Sequence, residues 1–487
     1  MDLDKDQNGR IATEQSDGSP AARAGRLTRR DVVKGSAAAG AAASLAAGGF
    51  SRSGVGPRRA RAQGAEVSGR LVSWGYGAAE TNQLAFARVE AFRQAYPNVE
   101  LELVPEADTQ KILTAAVSDT LPDLLWLPRE AIASYAGRGS VIAPITEYVE
   151  RDGYDVSRHY ENAVAESTYE DQLYGIPGGM DIRVIYANMD HLAEVGITDP
   201  SGIDTGNWDQ LRDLGGQLIQ REGDVVRRWG FDHKIQAGAI YLWGNANGAK
   251  FLSEDAQEAT FNDPKAVEAL DWGVQAYEGQ GTVEAYDAVS STWQNDEQFA
   301  RGQVSLTVYE SWMMTILSQT VQDLNFAVLP LRPRGASDGM TSLVGGRSWC
   351  ISAGAQNPDA AWEFIKFMHS DETWLIGQQA VKAARDAAGQ VYIPGLTASK
   401  TADAATLEQV YEPINPRFDA AVQLFPQILT TAPNREIAKS PVSTELDGYM
   451  RDEAVLPALR GEKPAEEALT DANESAQAAI DEFIPAS

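Results

Sequence analysis

Between Leu71 and Ala136 the apolar residues change period repeatedly, and that alternation restricts the chain more than any other feature. Leu71-Val72-Ser73-Trp74 reads as a short buried strand. Ala85, Val89, Phe92 and Tyr96 then recur at steps of four, three and four, one face of a helix closed by Pro97. Val99, Leu101 and Leu103 alternate with Glu100 and Glu102, the pattern of a half-buried strand. Asp108 or Thr109 caps a second helix with Ile112, Leu113, Ala116 and Val117 on its apolar side. Leu124 to Leu127 is a third strand, and residues 130–136 form a short helix. The order β-α-β-α-β predicts a parallel sheet covered on both faces. In such sheets ligands sit beyond the carboxyl ends of the strands, where Trp74 and Trp126 fall.

At 487 residues the chain is too long for one hydrophobic core, so two or more lobes are expected. Its apolar share of 43% and charged share of 23% are those of a soluble globular protein. A single cysteine, Cys350, excludes a disulfide framework and a Cys-rich metal site. His159, His191, His233 and His369 share no close spacing, which argues against a zinc enzyme. Beyond residue 62 there are 30 Lys and Arg against 63 Asp and Glu. Such a surface repels phosphate backbones and anionic lipid, so no nucleic-acid partner is expected.

Residues 1–62 read as an address. Thr28-Arg29-Arg30-Asp31-Val32-Val33-Lys34 precedes a weakly apolar, Ala-rich run to Phe50, and Ala60-Arg61-Ala62 has the A-x-A cleavage pattern. The stretch resembles a twin-arginine signal peptide, which implies folding in the cytoplasm and work in the periplasm or outside the cell. No cysteine stands near the cleavage site, so no lipid anchor is expected. Asp4-x-Asp6-x-Asn8-Gly9 imitates a calcium loop, but Gln15 stands where a bidentate Glu is needed. It is read as chance polar sequence.

Four later stretches carry a resemblance. They are Phe92-Arg93-Gln94-Ala95-Tyr96-Pro97-Asn98-Val99, then Leu121-Pro122-Asp123, then Leu173-Tyr174-Gly175-Ile176-Pro177 through Tyr186-Ala187-Asn188, and Phe299-Ala300-Arg301-Gly302-Gln303-Val304 to Ser311-Trp312. Gly345-Gly346 before Cys350-Ile351-Ser352 extends the series. In this order and spacing the chain resembles family 1 extracellular solute-binding proteins, the maltose-binding-protein-like group that serves sugar ABC importers. The resemblance implies an α/β, two-lobed periplasmic-binding-protein fold (type II-like), with parallel-rich sheets and hinge crossings. The crossings are expected near Asp181–Ile185 and Leu306–Glu310 and around residues 370–376. Lobe one is then 63–182 with 311–372, and lobe two 186–305 with 375–487. It also implies a sugar ligand, a membrane-embedded ABC permease as partner, a monomer, and no cofactor.

Sugars present apolar C–H faces and a rim of hydroxyls, so their sites need aromatic platforms with planar polar groups. Trp208, Trp272 and Trp362 lie inside helical patterns and are expected in the core. Trp74, Trp126, Trp243, Trp312 and Trp349 follow strands or sit in Gly-rich turns. Trp243 leads them, because Trp243-Gly244-Asn245-Ala246-Asn247-Gly248 resembles the family's cleft loop; Trp312 comes second. Trp74 and Trp126 join them as ligand-binding candidates. Asp181 and Arg183 flank the first crossing, Glu310 abuts the second, and Arg347 lies in the Gly345–Trp349 segment. Each of these four is equally readable as part of an inter-lobe salt bridge. Arg385 falls where the family often has Pro-x-Arg, but Ala384 precedes it and no Pro is present. Glu80 and Asn82 open the first helix, where capping is the plainer role.

The rival reading is an enzyme. Gly75-x-Gly77-x-x-Glu80 lacks the third glycine of a dinucleotide loop. No G-x-S-x-G, P-loop or H-E-x-x-H occurs. Asp181 and Glu310 are conceivable as a glycosidase pair, but sequence gives no separation between them. A binding protein for a non-sugar solute, or one used for sensing alone, is the third reading.

Overall fold

The computed structural model describes residues 67–290, 295–431 and 436–483. The twin-arginine motif and the calcium-like loop lie outside these residues.

The first half of the described chain builds as its periodicity dictates. Strand β1 (Gly69–Trp74), helix α1 (Gln83–Ala95), strand β2 (Val99–Val104), helix α2 (Thr109–Val117) and strand β3 (Leu124–Pro128) follow in order. Asn82 caps α1 by accepting the Ala85 N–H, and Asp108 caps α2 through Lys111 N–H. Both side chains satisfy amides that the first helical turn leaves without carbonyls. β2 and β3 flank β1, both parallel to it.

The central element is β4 (Gly175–Asn188), a strand of 14 residues. Helix α3 (Trp208–Leu218), strands β5 (Gln220–Glu222) and β6 (Val225–Asp232), and helices α4 (Ile240–Asn247), α5 (Pro264–Glu278) and α6 (Val283–Ser290) come next. Strands β7 (Val304–Glu310), β8 (Phe326–Leu329) and β9 (Val344–Ile351) close the sheet, in the order β2-β1-β3-β9-β4-β7-β6-β5 with β8 also on β4. β4 changes partner midway. Gly175 to Ile182 pair with β9, whereas Arg183 to Ala187 pair with β7. The strand thus passes from one half of the sheet to the other at the expected first crossing.

The expectation of parallel-rich sheets holds only away from this centre. β1 with β2 and β3, and β6 with β7, are parallel, but every pair made by β4 and β9 is antiparallel.

The cores follow the period-2 rule of strands. Leu124, Trp349 and Ile351 enter one apolar cluster with Leu71, Phe92 and Phe364. Leu125, Leu127 and Cys350 point through the sheet into another with Ile112 and Ile132. The remaining cluster gathers Val184, Trp229, Leu306 and the last helices, and also takes in Tyr160 and Ala163. Asp123, 5% exposed, ties β1 to helix α7 (Pro358–Met368) by accepting the N–H groups of Val72, Gln356 and Asn357. Its charge faces a helix N-terminus, where an anion is favoured. Helix α8 (Asp371–Ala387) packs on α1, with the Arg88 guanidinium over the Trp374 ring, and its other side meets α9 (Lys400–Gln409). The last described element is the amphipathic helix α10 (Ala465–Phe483). Among the described residues no helix is long and apolar enough to cross a membrane.

Candidate functional site

Where β4 changes partner its alternation becomes visible. Met180, Ile182 and Val184 are buried, while Gly179, Asp181 and Arg183 are half-buried on the opposite face. Arg183 stands opposite Glu310 of β7, and Asp181 opposite Gly345 of β9. The register therefore brings three predicted residues together. Arg183 Nη1 lies 2.5 Å from Asp181 Oδ1, and Nη2 lies 3.1 Å from Glu310 Oε1. A β-carbon on Gly345 would fall 2.5 Å from Arg183 Nη1 and 2.6 Å from Asp181 Oδ1, so only glycine leaves room for this arrangement.

Two cavities meet at Arg183. The larger, about 400 Å³, is lined by Trp126, Glu130, Asp181, Gly346, Arg347 and Leu396 among others. The smaller, about 110 Å³, is lined by Lys234, Gly238, Ala239, Tyr309 and Glu310. Trp126 offers the larger one an aromatic surface. Its ring is held edge-on to Tyr76 at 5.6 Å and against Trp349 at 4.8 Å, and its carbonyl accepts from Arg347 Nη1 at 2.9 Å. Gly178 carries no side chain because a β-carbon there would sit 2.6 Å from the same indole.

The floor rests on Arg129, which is fully buried. Its Nε donates to Glu166 (2.9 Å), Nη1 to the Gly179 carbonyl (2.6 Å) and Nη2 to the Gly345 carbonyl (2.5 Å). The guanidinium thereby bridges β4 and β9 beside the register shift at Arg347. A buried cation is tolerated when paired and hydrogen-bonded in this way.

The leading sequence candidate is elsewhere. Trp243 is fully buried and lines neither cavity. Its Nε1 donates to the His233 carbonyl at 2.8 Å, and its ring packs 5.2 Å from Trp208 and 4.5 Å from Trp272. The reason is that α4 is apolar on nearly every side, with Ile240, Tyr241, Leu242, Gly244 and Ala246 all buried, so its Trp had no face but the core. Trp74 ends β1 half-buried, with the Lys111 ammonium 4.3 Å from its ring centre, and it too lines neither cavity. Trp312 is 45% exposed just past β7, edge-on at 5.2 Å to Tyr309, a wall of the smaller cavity. Trp349 is core, and Arg385 donates to the Gln390 side chain.

Sequence reasoning missed Lys234, Tyr309, Glu130 and Leu396. Lys234 takes a left-handed backbone (φ 60°) after β6, and its Nζ lies 2.7 Å from Asp232 Oδ2. Asp232 is 1% exposed and also accepts from the hydroxyls of Tyr277 (3.1 Å) and Tyr286 (2.7 Å). Burial alone would raise its pKa; the Lys234 charge and the Tyr286 hydroxyl outweigh burial and hold it below the usual value. The triplet Asp232-His233-Lys234 was visible, but the tyrosines that complete it come from α5 and α6. Among the described residues no group of three or more His, Cys, Asp or Glu is placed to hold a metal ion.

Comparison with known proteins gives this geometry a context. A family profile described as bacterial extracellular solute-binding protein matches residues 87–402. A protein of Brucella abortus named as a binding protein is 23% identical over 292 residues, 57% of this chain and 66% of its own. The lactose-binding protein of Rhizobium radiobacter is 22% identical over 308 residues, 61% of this chain and 67% of its own. The chain thus spans about two thirds of the length of these curated relatives. Among solved structures, the protein named CpMnBP1, with mannotriose bound, superposes at a TM-score of 0.69 with 20% identity, over 84% of this chain and 99% of that one.

Proposed function

The chain belongs to the bacterial extracellular solute-binding protein family, and from that premise we propose that it captures a mono- or oligosaccharide in the cleft at Arg183 and delivers it to an ABC-type import permease. The observation that carries the sugar reading is the cleft's composition. One aromatic platform, Trp126, borders a cavity whose other walls offer carboxylates and guanidinium groups at Glu130, Asp181, Arg183 and Arg347. Apolar C–H faces and hydroxyl rims need both kinds of group. The names of relatives agree, one being lactose-binding and another solved with mannotriose.

In this reading the protein works in the periplasm or outside the cell, reached by the twin-arginine route with cleavage before Gln63, and it acts as a monomer without turnover. Its lobes are 63–182 with 311–372 and 186–305 with 375–487. The separate clusters around β1–β3 and β9 support a distinct first lobe, whereas Tyr160, Met313, Leu317 and Leu329 pack with the cluster of the other side. Asp181, Arg183 and Glu310 hold hydroxyls at the crossing strands, and closure of the lobes supplies the remaining contacts.

A thermal-shift screen of the mature chain against mono- and oligosaccharides tests the reading. A bound sugar at 100 times its dissociation constant adds about 2.7 kcal/mol of stability. No shift with any sugar, or recovery of cleaved or oxidised sugar after overnight incubation, overturns it.

A further inference from the structure

The cleft's donors and acceptors are unequally used. Arg183 engages Asp181 and Glu310, Lys234 engages Asp232 and Tyr286, and Arg347 donates to the Trp126 carbonyl. Arg347 forms no ion pair among the described residues, but Arg183 and Lys234 are satisfied within the protein. The carboxylates are not. Asp181 and Glu310 each give one oxygen to Arg183, and among the described residues Asp181 Oδ2 and Glu310 Oε2 accept no hydrogen bond. Both side chains remain accessible, at 22% and 26% exposure. Glu130, on the wall of the larger cavity, forms no ion pair among the described residues. Two carboxylates around one guanidinium also leave an excess negative charge where the two cavities meet.

We propose that this cleft selects amino sugars. The inference rests on the sugar-binding reading of the same cleft and adds the ligand's charge to it. An ammonium has donors only and carries the charge that the unsatisfied oxygens lack, so its hydrogen bonds there are charge-assisted. A neutral sugar satisfies the same oxygens through hydroxyls, more weakly. A uronic acid brings acceptors and a like charge to the junction at Arg183, where two carboxylates already surround one guanidinium. The whole chain, at a formal net charge of −28, draws cationic solutes toward its surface in the same sense.

The test is calorimetry on the mature chain at mildly acidic pH, where sugar amines are protonated. The probes are glucose, galactose and mannose, their 1,4-linked disaccharides, and the 2-amino-2-deoxy and 6-carboxy forms of each. For a skeleton that binds, the amino form should bind at least about tenfold more tightly than its parent, since one charge-assisted hydrogen bond replaces a neutral one. The carboxy form should bind more weakly than the parent. Asp181→Asn and Glu130→Gln should each bring the amino-to-parent ratio toward one, and their melting curves report whether they fold. Equal affinities, or a tighter carboxy form, overturn the inference and leave the sugar reading standing. Binding of no form of any skeleton removes both.

Discussion

Trp243 and Trp126 behave differently because their surroundings differ. Trp243 fills a fully enclosed site among Trp208 and Trp272. Trp243→Ala should cost about 3–5 kcal/mol of stability, read from a urea midpoint; a variant as stable as the parent would place the ring outside the core. Trp126 borders the cavity, and Trp126→Ala should weaken sugar binding by a factor of about 30, the value of a roughly 2 kcal/mol platform. Unchanged affinity in a folded variant would remove Trp126 from the site. The histidines set an acid limit at the same scale. Burial holds His159 and His233 down to about 4 and His369 well below the ordinary value. Their folded pKa values lie under the unfolded value of about 6.5, so the unfolded state takes up protons first as pH falls. Asp403 acts in the opposite sense, because burial raises it to about 7. Three fully buried histidines outweigh one aspartate. Stability should therefore fall between pH 6.5 and 5, by about 2 kcal/mol for each buried histidine before the Asp403 offset. A urea midpoint that stays flat or rises over that range would contradict this balance.

At the scale of elements, the junction of β4, β7 and β9 decides where the site can be. Residues two apart on one face of β4 reach one partner strand each, so Asp181, Arg183 and Glu310 meet only because of the register. Gly345 is the point where that arrangement is most easily broken. Gly345→Ala drives a β-carbon into the Arg183–Asp181 pair. It should cost about 1–3 kcal/mol in stability, as overpacking does, and lower sugar affinity by about tenfold or more through loss of the aligned pair. Denaturation and calorimetry on one variant measure both. Full affinity would show that the ligand does not depend on this geometry.

For the whole molecule the prediction is closure. Contacts from both sides of the crossing exist together only in the closed state, so a ligand shifts the population toward it. X-ray scattering of the mature chain should give a smaller radius of gyration with saturating sugar. An identical profile in a sample shown by calorimetry to be saturated would speak against hinge motion.

The alternating apolar periods from Leu71 to Leu127 and the caps at Asn82 and Asp108 are local properties, and all appear in the structure where the sequence places them. Asp181, Arg183 and Glu310 are singled out because the resemblance places strand crossings beside them, and the register brings the three together. Other features needed the folded chain. Whether a tryptophan lies in core or cleft depends on what packs around its helix, and Trp243 meets Trp208 and Trp272 only in the folded chain. Lys234 acquires its role from tyrosines on α5 and α6, and Trp126 from its place beside Gly178 and Arg347. The antiparallel centre of the sheet is likewise a matter of which distant strands β4 and β9 meet. Local propensity and periodicity act over a few residues; register, burial and charge pairing act between segments a hundred or more residues apart, and only tertiary structure brings those together.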